Sequence, residues 1–164
     1  LRSGNEVNFV KNQTALDAQA KSVPTRYVDA LPDIRAAIAF VAARSNRPII
    51  LFGSSYSASL ALVEATENFK VNAVISFSPG EYFGNTLTIR DTVKTLRIPV
   101  LALCSQREYT DMKSMLDQIP PRYLTLFRPA KGEGVHGSRS LWATNPNNQE
   151  YWMALTQFFS QLTL

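Results

Sequence analysis

Residues 53–57 read Gly-Ser-Ser-Tyr-Ser and lie between a short apolar run and a segment with helical spacing. A strand that turns sharply into a helix holds the central side chain of the turn, here Ser55, clear of the backbone. Glycine is usual at the last position of this pattern, where the chain has the compact Ser57. The Tyr56 amide would then open the helix and could donate to an oxyanion. The competing interpretation is an ordinary strand-to-helix connection with an N-capping serine.

A serine hydroxyl needs a base before it can attack a carbonyl carbon. The chain has a single histidine, His136, in a glycine-rich segment that follows the last predicted strand. A lone histidine in a loop is more often an exposed surface residue. Its position after the serine and the candidate acids, however, gives the order expected when the three groups act together. We therefore expect His136 to accept the proton of Ser55.

Two acidic residues, Glu108 and Asp111, come just after the third predicted strand, where the group that orients the histidine is expected. Either of them could instead be a solvated charge. Asp111 also lies near the start of a predicted helix, where acidic residues are favoured for another reason. On that argument we favour Glu108 as the acid and keep Asp111 as the alternative.

The elements that must position these residues alternate between two periodicities. Helical spacing covers residues 14–21, 27–44, 57–68, 111–119 and 149–162, and strand-like apolar runs cover residues 47–52, 73–77, 98–104 and 123–127. We expect Thr14 to cap the first helix and the run at 47–52 to be buried on both faces. The alternation predicts an α/β fold, with a mostly parallel sheet and helices on both faces. Ligands of such sheets bind beyond the carboxyl ends of the strands, where all the candidate residues fall.

The composition, with 45% hydrophobic and 18% charged residues, is that of a soluble globular protein. We draw no boundary within residues 1–164 and expect one domain. No apolar run reaches the ~18–20 residues of a membrane span. The basic residues behind the net charge of +4 are scattered singly, so we expect no nucleic-acid partner. With a single cysteine and no signal pattern, we expect a cytoplasmic location and leave export with a cleaved signal open.

A cofactor pattern also occurs in the chain, because residues 132–137 formally match the dinucleotide signature G-x-G-x-x-G. That signature requires a strand running directly into the glycine turn and a helix opening on it. Here residues 128–131 intervene, and no clear helix follows. Metal-ligand spacing is also missing from the sequence. We therefore expect no cofactor and no metal, and interpret Cys104 as a core thiol.

Together these motifs resemble the α/β-hydrolase superfamily, and in particular the dienelactone-hydrolase-like esterases. The resemblance covers nearly the whole chain and rests on residues 48–59, 98–108 and 136–139. In that family the acid lies about nine residues after the proline that opens its strand, which counts from Pro99 to Glu108, although the family more often has Asp. The resemblance implies a serine hydrolase that acts on small-molecule carboxylic esters through an acyl-enzyme, with thioesters and amides as alternatives.

The opening residues 1–4 resemble the stretch just after the fourth strand of that family. This predicts that the chain begins mid-domain and covers the C-terminal two-thirds of the usual fold. The resemblance then places the second oxyanion donor, which comes from a loop after the third strand, outside residues 1–164. It also implies an unpaired sheet edge, through which the chain could associate with another polypeptide. Our second hypothesis is a non-catalytic α/β-hydrolase-like binding module, or an inactive fragment.

Overall fold

Residues 1–4, 6–7 and 9–163 are described by a computed structural model. They divide into two units, Leu1–Arg47 and Pro48–Leu164. No linker or repeat in the sequence indicates this division, and a single domain over residues 1–164 stays a prediction.

The first unit contains a short antiparallel strand pair and two helices. Its elements are β1 (Glu6–Val7), β2 (Val10–Lys11), α1 (Gln13–Ala20), a 3-10 turn (Tyr27–Ala30) and α2 (Leu31–Ala42). The predicted cap at Thr14 is wrong, because the Asn12 side chain accepts the N–H of Ala15 and α1 begins before Thr14. Arg2 donates from its backbone and its guanidinium to Asp33, which ties the first residues to α2.

The second unit is built on a four-stranded sheet. Its strands are β3 (Ile49–Ser54), β4 (Val71–Phe77), β5 (Val100–Leu103) and β6 (Leu124–Phe127), and its helices are α3 (Tyr56–Glu67), α4 (Ile89–Thr92), α5 (Tyr109–Met115) and α6 (Asn148–Gln161). The strands lie in chain order, and every neighbouring pair is parallel. The predicted α/β architecture with a parallel sheet is therefore confirmed. In the described part of the chain, no helix is long and apolar enough to cross a bilayer.

Both faces of β4 are covered, since alternate residues of a strand point to opposite faces of its sheet. One face packs in a cluster with β5 and α6, formed by Ala73, Ile75, Phe77, Leu101, Leu103, Tyr151, Leu155 and Phe158. Burial of each large apolar side chain contributes about 1.5–3 kcal/mol. On the other face the Ser76 hydroxyl donates to the carbonyl of Ala58 on α3 at 3.3 Å. Because both faces are packed, the end of β4 is held in a fixed position next to the candidate residues.

Strand β3 is an outer strand, and its burial differs from the prediction. Phe52 is 52% exposed, and the preceding residues 49–51 are only partly buried, so the expected burial on both faces is wrong. Within the residues that the structure describes, β3 pairs with β4 on one side only, and Phe52 stacks on Phe77 with ring centroids 5.1 Å apart. An apolar run indicates a strand but not how many neighbours the strand has.

Cys104 directly follows β5 and is 1% exposed. Burial, together with the nearby Glu108 charge, raises the pKa of its thiol to about 12. The thiol therefore stays protonated at neutral pH and packs as a small apolar group, as the sequence predicts.

Candidate active site

Ser55 occupies the turn between β3 and α3 in a strained backbone conformation, with φ 59° and ψ −131°. Such a conformation costs a non-glycine residue about 1–3 kcal/mol and persists only where the surroundings enforce it. The Ser55 N–H donates to the carbonyl of Phe77 at 2.8 Å, which ties the turn to the end of β4. A Cβ on Gly53 would lie 2.5 Å from Cα of Ala58, so only glycine lets the strand pass the helix. The sharp turn expected at residues 53–57 is present.

Ser57 stands where this turn usually has glycine, and it makes two hydrogen bonds inside the turn. Its hydroxyl accepts the N–H of Ser54 at 3.0 Å and donates to the carbonyl of Ser54 at 2.8 Å. The side chain closes the turn instead of obstructing it. The departure from the usual pattern is therefore compatible with the geometry.

His136 lies in the loop between β6 and α6 and joins the serine to the acid. Its Nε2 atom is 2.9 Å from Oγ of Ser55, and its Nδ1 atom is hydrogen-bonded to Oε1 of Glu108. When Nδ1 donates its proton to the carboxylate, Nε2 is left as the acceptor for the serine hydroxyl. Gly137 has φ 70°, and a Cβ there would lie 2.7 Å from Oγ of Ser54. Glycine at that position lets the histidine loop approach the serine turn.

Glu108 directly precedes α5, and both of its carboxylate oxygens are hydrogen-bonded. Oε1 contacts His136, while Oε2 accepts from the N–H of Ser105 at 2.9 Å, from its hydroxyl at 2.7 Å and from the hydroxyl of Ser78 at 2.9 Å. Burial by itself would raise the pKa of Glu108, but the hydrogen bonds outweigh it and leave the pKa below its usual value. The carboxylate is therefore ionised at neutral pH and can stabilise an imidazolium.

Asp111, the alternative acid, lies in the first turn of α5 with an exposed side chain. Glu108, and not Asp111, makes the contact with His136. The structure thus brings together Ser55, His136 and Glu108 and places Asp111 outside their hydrogen-bonded series.

Two serines that the sequence analysis did not single out also belong to this site. Ser78 directly follows β4, Ser105 lies two residues after the end of β5, and both are buried. Ser78 has φ 50°, which is unusual for a residue with a side chain. Their only sequence signal is a hydroxyl residue directly after a predicted strand. That signal is common, and the structure was needed to show that both hydroxyls contact Glu108.

Two cavities lie beside the acid and the histidine. The first, of about 380 Å³, is lined by residues 79–82, Glu108 and the α5 residues Asp111, Met112 and Met115. The second, of about 300 Å³, is lined by residues that include Ser105 and His136. Both volumes lie at the lower end of the range for small-molecule sites. Among the described residues, no group of three or more His, Cys, Asp and Glu side chains is placed to hold a metal ion.

The chain is similar to solved structures of hydrolytic enzymes. These include an esterase domain from Rhodothermus marinus (16% identity, TM-score 0.60, 79% of this chain and 66% of that one). A Klebsiella pneumoniae protein, named as a candidate dienelactone hydrolase, aligns at 14% identity and TM-score 0.63 over 94% of this chain and 69% of that one. A Pyrococcus furiosus esterase aligns at 11% identity and TM-score 0.64 over 82% of this chain and 62% of that one.

No protein-family model and no curated protein matches the sequence. The chain spans about two thirds of the length of the solved structures named above. At such low identities the similarity establishes the fold. This protein has the α/β-hydrolase fold, and the resemblance inferred from its sequence is confirmed at that level.

Proposed function

We propose that this chain carries the catalytic residues of a serine hydrolase that cleaves carboxylic esters through an acyl-enzyme. The observation that supports this function most strongly is the hydrogen-bonded series from Oγ of Ser55, through the imidazole of His136, to Glu108. Each member follows a different strand of one parallel sheet. An ordinary strand-to-helix connection requires neither the strained serine nor the paired histidine.

In the proposed reaction, Oγ of Ser55 attacks the acyl carbon while Nε2 of His136 takes the hydroxyl proton. Glu108 stabilises the imidazolium that forms and holds Nδ1 as the donor. The tetrahedral intermediate collapses, and the departing alkoxide takes the proton from Nε2 and leaves as the alcohol. A water molecule, deprotonated by His136, then attacks the acyl-enzyme. This step releases the carboxylic acid and returns the proton to Ser55.

The charge that develops on the carbonyl oxygen needs donors that are already in place. The Tyr56 amide is the proposed donor, because it follows the nucleophile and opens the twelve-residue helix α3. The helix N-terminus adds a favourable field for negative charge. In other enzymes a single oxyanion donor contributes about 10²–10³ in rate.

The choice of esters rests on the chemistry and on the structural neighbours. An alcohol is an easier leaving group than an amine, and a Ser-His-Glu arrangement requires no metal. Two of the three neighbours named above are esterases, from Rhodothermus marinus and Pyrococcus furiosus. The cavity beside Glu108 is bordered by Tyr82, Met112 and Met115, which suits a small apolar acyl or alkyl group.

Labelling with a fluorophosphonate probe tests this function, since phosphonylation requires both an activated serine and an oxyanion site. The family resemblance places the second oxyanion donor outside residues 1–164. We therefore expect a single adduct on the protein that also carries this donor, which peptide mapping should assign to Ser55, and weak labelling of residues 1–164 alone. The variants Ser55→Ala and His136→Ala should not be labelled. Ser160→Ala removes an exposed hydroxyl on α6 and should be labelled like the wild type.

An adduct at another serine, or none where a reference serine hydrolase is labelled, would contradict the catalytic assignment. The non-catalytic binding module would then be the better hypothesis. Turnover of p-nitrophenyl acetate, followed in the same variants, provides an independent measurement.

A further inference from the structure

We propose that Ser78 is a positioning residue that holds Glu108 and the His136 loop in one fixed arrangement. Its hydroxyl donates to Oε2 of Glu108 at 2.9 Å and accepts the N–H of Gly137, next to the histidine, at 2.8 Å. The inference rests on the proposed serine-hydrolase function and deepens it. The hydroxyl of Ser78 is hydrogen-bonded to the acid and to the histidine loop, so it would act through the acid and the base.

The direction of both hydrogen bonds is fixed by the partners of Ser78. A backbone N–H such as that of Gly137 can only donate, and an ionised carboxylate such as Glu108 can only accept. The single hydroxyl proton of Ser78 must therefore point to Glu108. This arrangement favours the ionised acid, because a protonated Oε2 would compete with Ser78 as a donor.

The backbone of Ser78 is held independently of its side chain. Its N–H donates to the carbonyl of Leu103 at the end of β5, and its carbonyl accepts the hydroxyl of Tyr82 at 2.9 Å. The residue is 2% exposed, so water does not compete for its hydroxyl. A hydroxyl anchored in this way can fix its two partners relative to the sheet.

The conformation of Ser78 also indicates a role for the side chain. With φ 50°, the residue adopts a backbone geometry that glycine enters without strain and serine does not. The backbone alone therefore gives no reason for a serine at this position. The two hydrogen bonds of the hydroxyl supply one.

Ser105 also donates to Glu108, but its role differs. It lies three residues before Glu108 in the same loop, so its hydrogen bonds fix the acid relative to its own strand. Ser78 instead joins three separate segments, at the ends of β4 and β5 and after β6. Loss of Ser78 should therefore disturb the alignment of the acid with the histidine.

The test compares Ser78→Gly with Ser59→Ala. Glycine removes the hydroxyl and relieves the backbone strain. Ser59 is fully buried on α3, donates to the carbonyl of Gly80 at 2.7 Å and accepts its N–H at 2.9 Å, so it supports the same loop without contacting the acid or the histidine. Ser78→Gly should lower kcat on p-nitrophenyl acetate by about 10–100-fold with little change in KM. Ser59→Ala should lower the melting temperature and leave kcat within about twofold.

A second measurement does not depend on turnover. His136 is the only histidine, so the ring nitrogen chemical shifts of ¹⁵N-labelled protein report its tautomer without overlap. At alkaline pH the wild type should show a dominant Nδ1-protonated form. Ser78→Gly should show a mixture of tautomers, and Ser78→Ala, which keeps the Cβ, should behave like Ser78→Gly.

The two measurements separate the positioning role from the proposed function. A tautomer shift in Ser78→Gly, found in a protein that neither turns over esters nor labels at Ser55, supports the positioning role and contradicts the function. An active wild type whose kcat and tautomer are unchanged in Ser78→Gly and Ser78→Ala overturns the positioning role and leaves the function standing. Equal losses of kcat in Ser78→Gly and Ser59→Ala, with unchanged tautomers, also overturn it, because they indicate general support of the loop.

Discussion

Glu108 and Asp111 are three residues apart but have different surroundings, so substitutions at the two positions can be compared directly. Glu108 accepts hydrogen bonds on both oxygens, from His136 on one and from Ser105 and Ser78 on the other. Glu108→Gln keeps only one oxygen. The new amide NH₂ must then either face the Ser105 and Ser78 donors or donate to Nδ1 of His136, which would favour the wrong tautomer of the imidazole. We expect kcat to fall by about 10²–10⁴-fold, as for the buried acid of other triads.

Asp111→Asn is the control for the role of the acid, because Asp111 lines the cavity beside Glu108 but lies outside the hydrogen-bonded series, and asparagine keeps its size. Its kcat on p-nitrophenyl acetate should stay within about twofold of the wild type. A mild effect of Glu108→Gln, together with a loss in Asp111→Asn as large as that in Ser55→Ala, would show that the acid is wrongly assigned.

Glu108 also predicts how stability depends on pH. Its pKa in the folded protein lies below the ordinary value of 4.5. A group whose pKa is lowered by folding stabilises the folded state above its unfolded pKa, and this contribution is lost as the pH falls through the folded pKa. Between roughly pH 5 and pH 3 the melting temperature of the wild type should therefore fall more steeply than that of Glu108→Gln. Glu108→Gln leaves the other acidic residues in place, so parallel curves would contradict this prediction.

The three residues with the clearest chemistry, Ser55, Glu108 and His136, could be predicted from the sequence because each follows a recognisable strand. The choice between the two acids could not be settled from the sequence, since both follow the same strand. Ser78 and Ser105 were missed for a related reason. Serine is common after a strand, and only the folded chain shows that these hydroxyls reach a carboxylate 30 and 3 residues away.

Among the elements, the turn from β3 into α3 tolerates change least, because Gly53 passes close to the helix backbone. A Cβ on Gly53 would lie 2.5 Å from Cα and 2.7 Å from N of Ala58, and neither atom can rotate away. In Gly80→Ala, the nearest atom to the new Cβ is on the Tyr82 ring at 3.0 Å, which can shift. We expect Gly53→Ala to lose about 1–3 kcal/mol or more in urea unfolding, and Gly80→Ala less than about 1 kcal/mol. Similar losses of unfolding free energy in both variants would show that the turn at Gly53 can accommodate a side chain.

The long, periodic elements of the second unit were predicted with their correct type, because burial of one face imposes a regular spacing. The strand pair β1–β2 and the short helix α4 were missed, since two to four residues carry no period. Helix α5 starts at Tyr109 and ends at Met115, although apolar spacing predicted residues 111–119. The apolar residues beyond Met115 are buried without continuing the helix. Periodicity thus locates buried faces more reliably than helix ends.

At the scale of the whole molecule, the candidate site lies entirely within the second unit. Ser55, Ser78, Ser105, Glu108 and His136 all belong to Pro48–Leu164, and every hydrogen bond described among them is made there. The core of that unit includes strand β4, which is buried except at Asn72, and strand β5, which is buried throughout. Among the described residues of the first unit, the buried apolar side chains are Ala15, Ala18, Ala30, Ile34 and Ile38. Protection of the backbone amides from hydrogen exchange should therefore differ between the units.

Matched substitutions in the two units test this difference. Ile38 on α2 is 2% exposed and Leu101 on β5 is fully buried, so truncation of either to alanine should cost about 2–5 kcal/mol locally. Ile38→Ala should speed hydrogen exchange in peptides from residues 1–47 and leave fluorophosphonate labelling of Ser55 unchanged. Leu101→Ala should speed exchange in β4 and β5 and slow labelling, because those strands hold the site in place. Both effects are read by mass spectrometry on one sample. If Ile38→Ala abolished labelling while β4 and β5 kept their protection, the site would depend on the first unit.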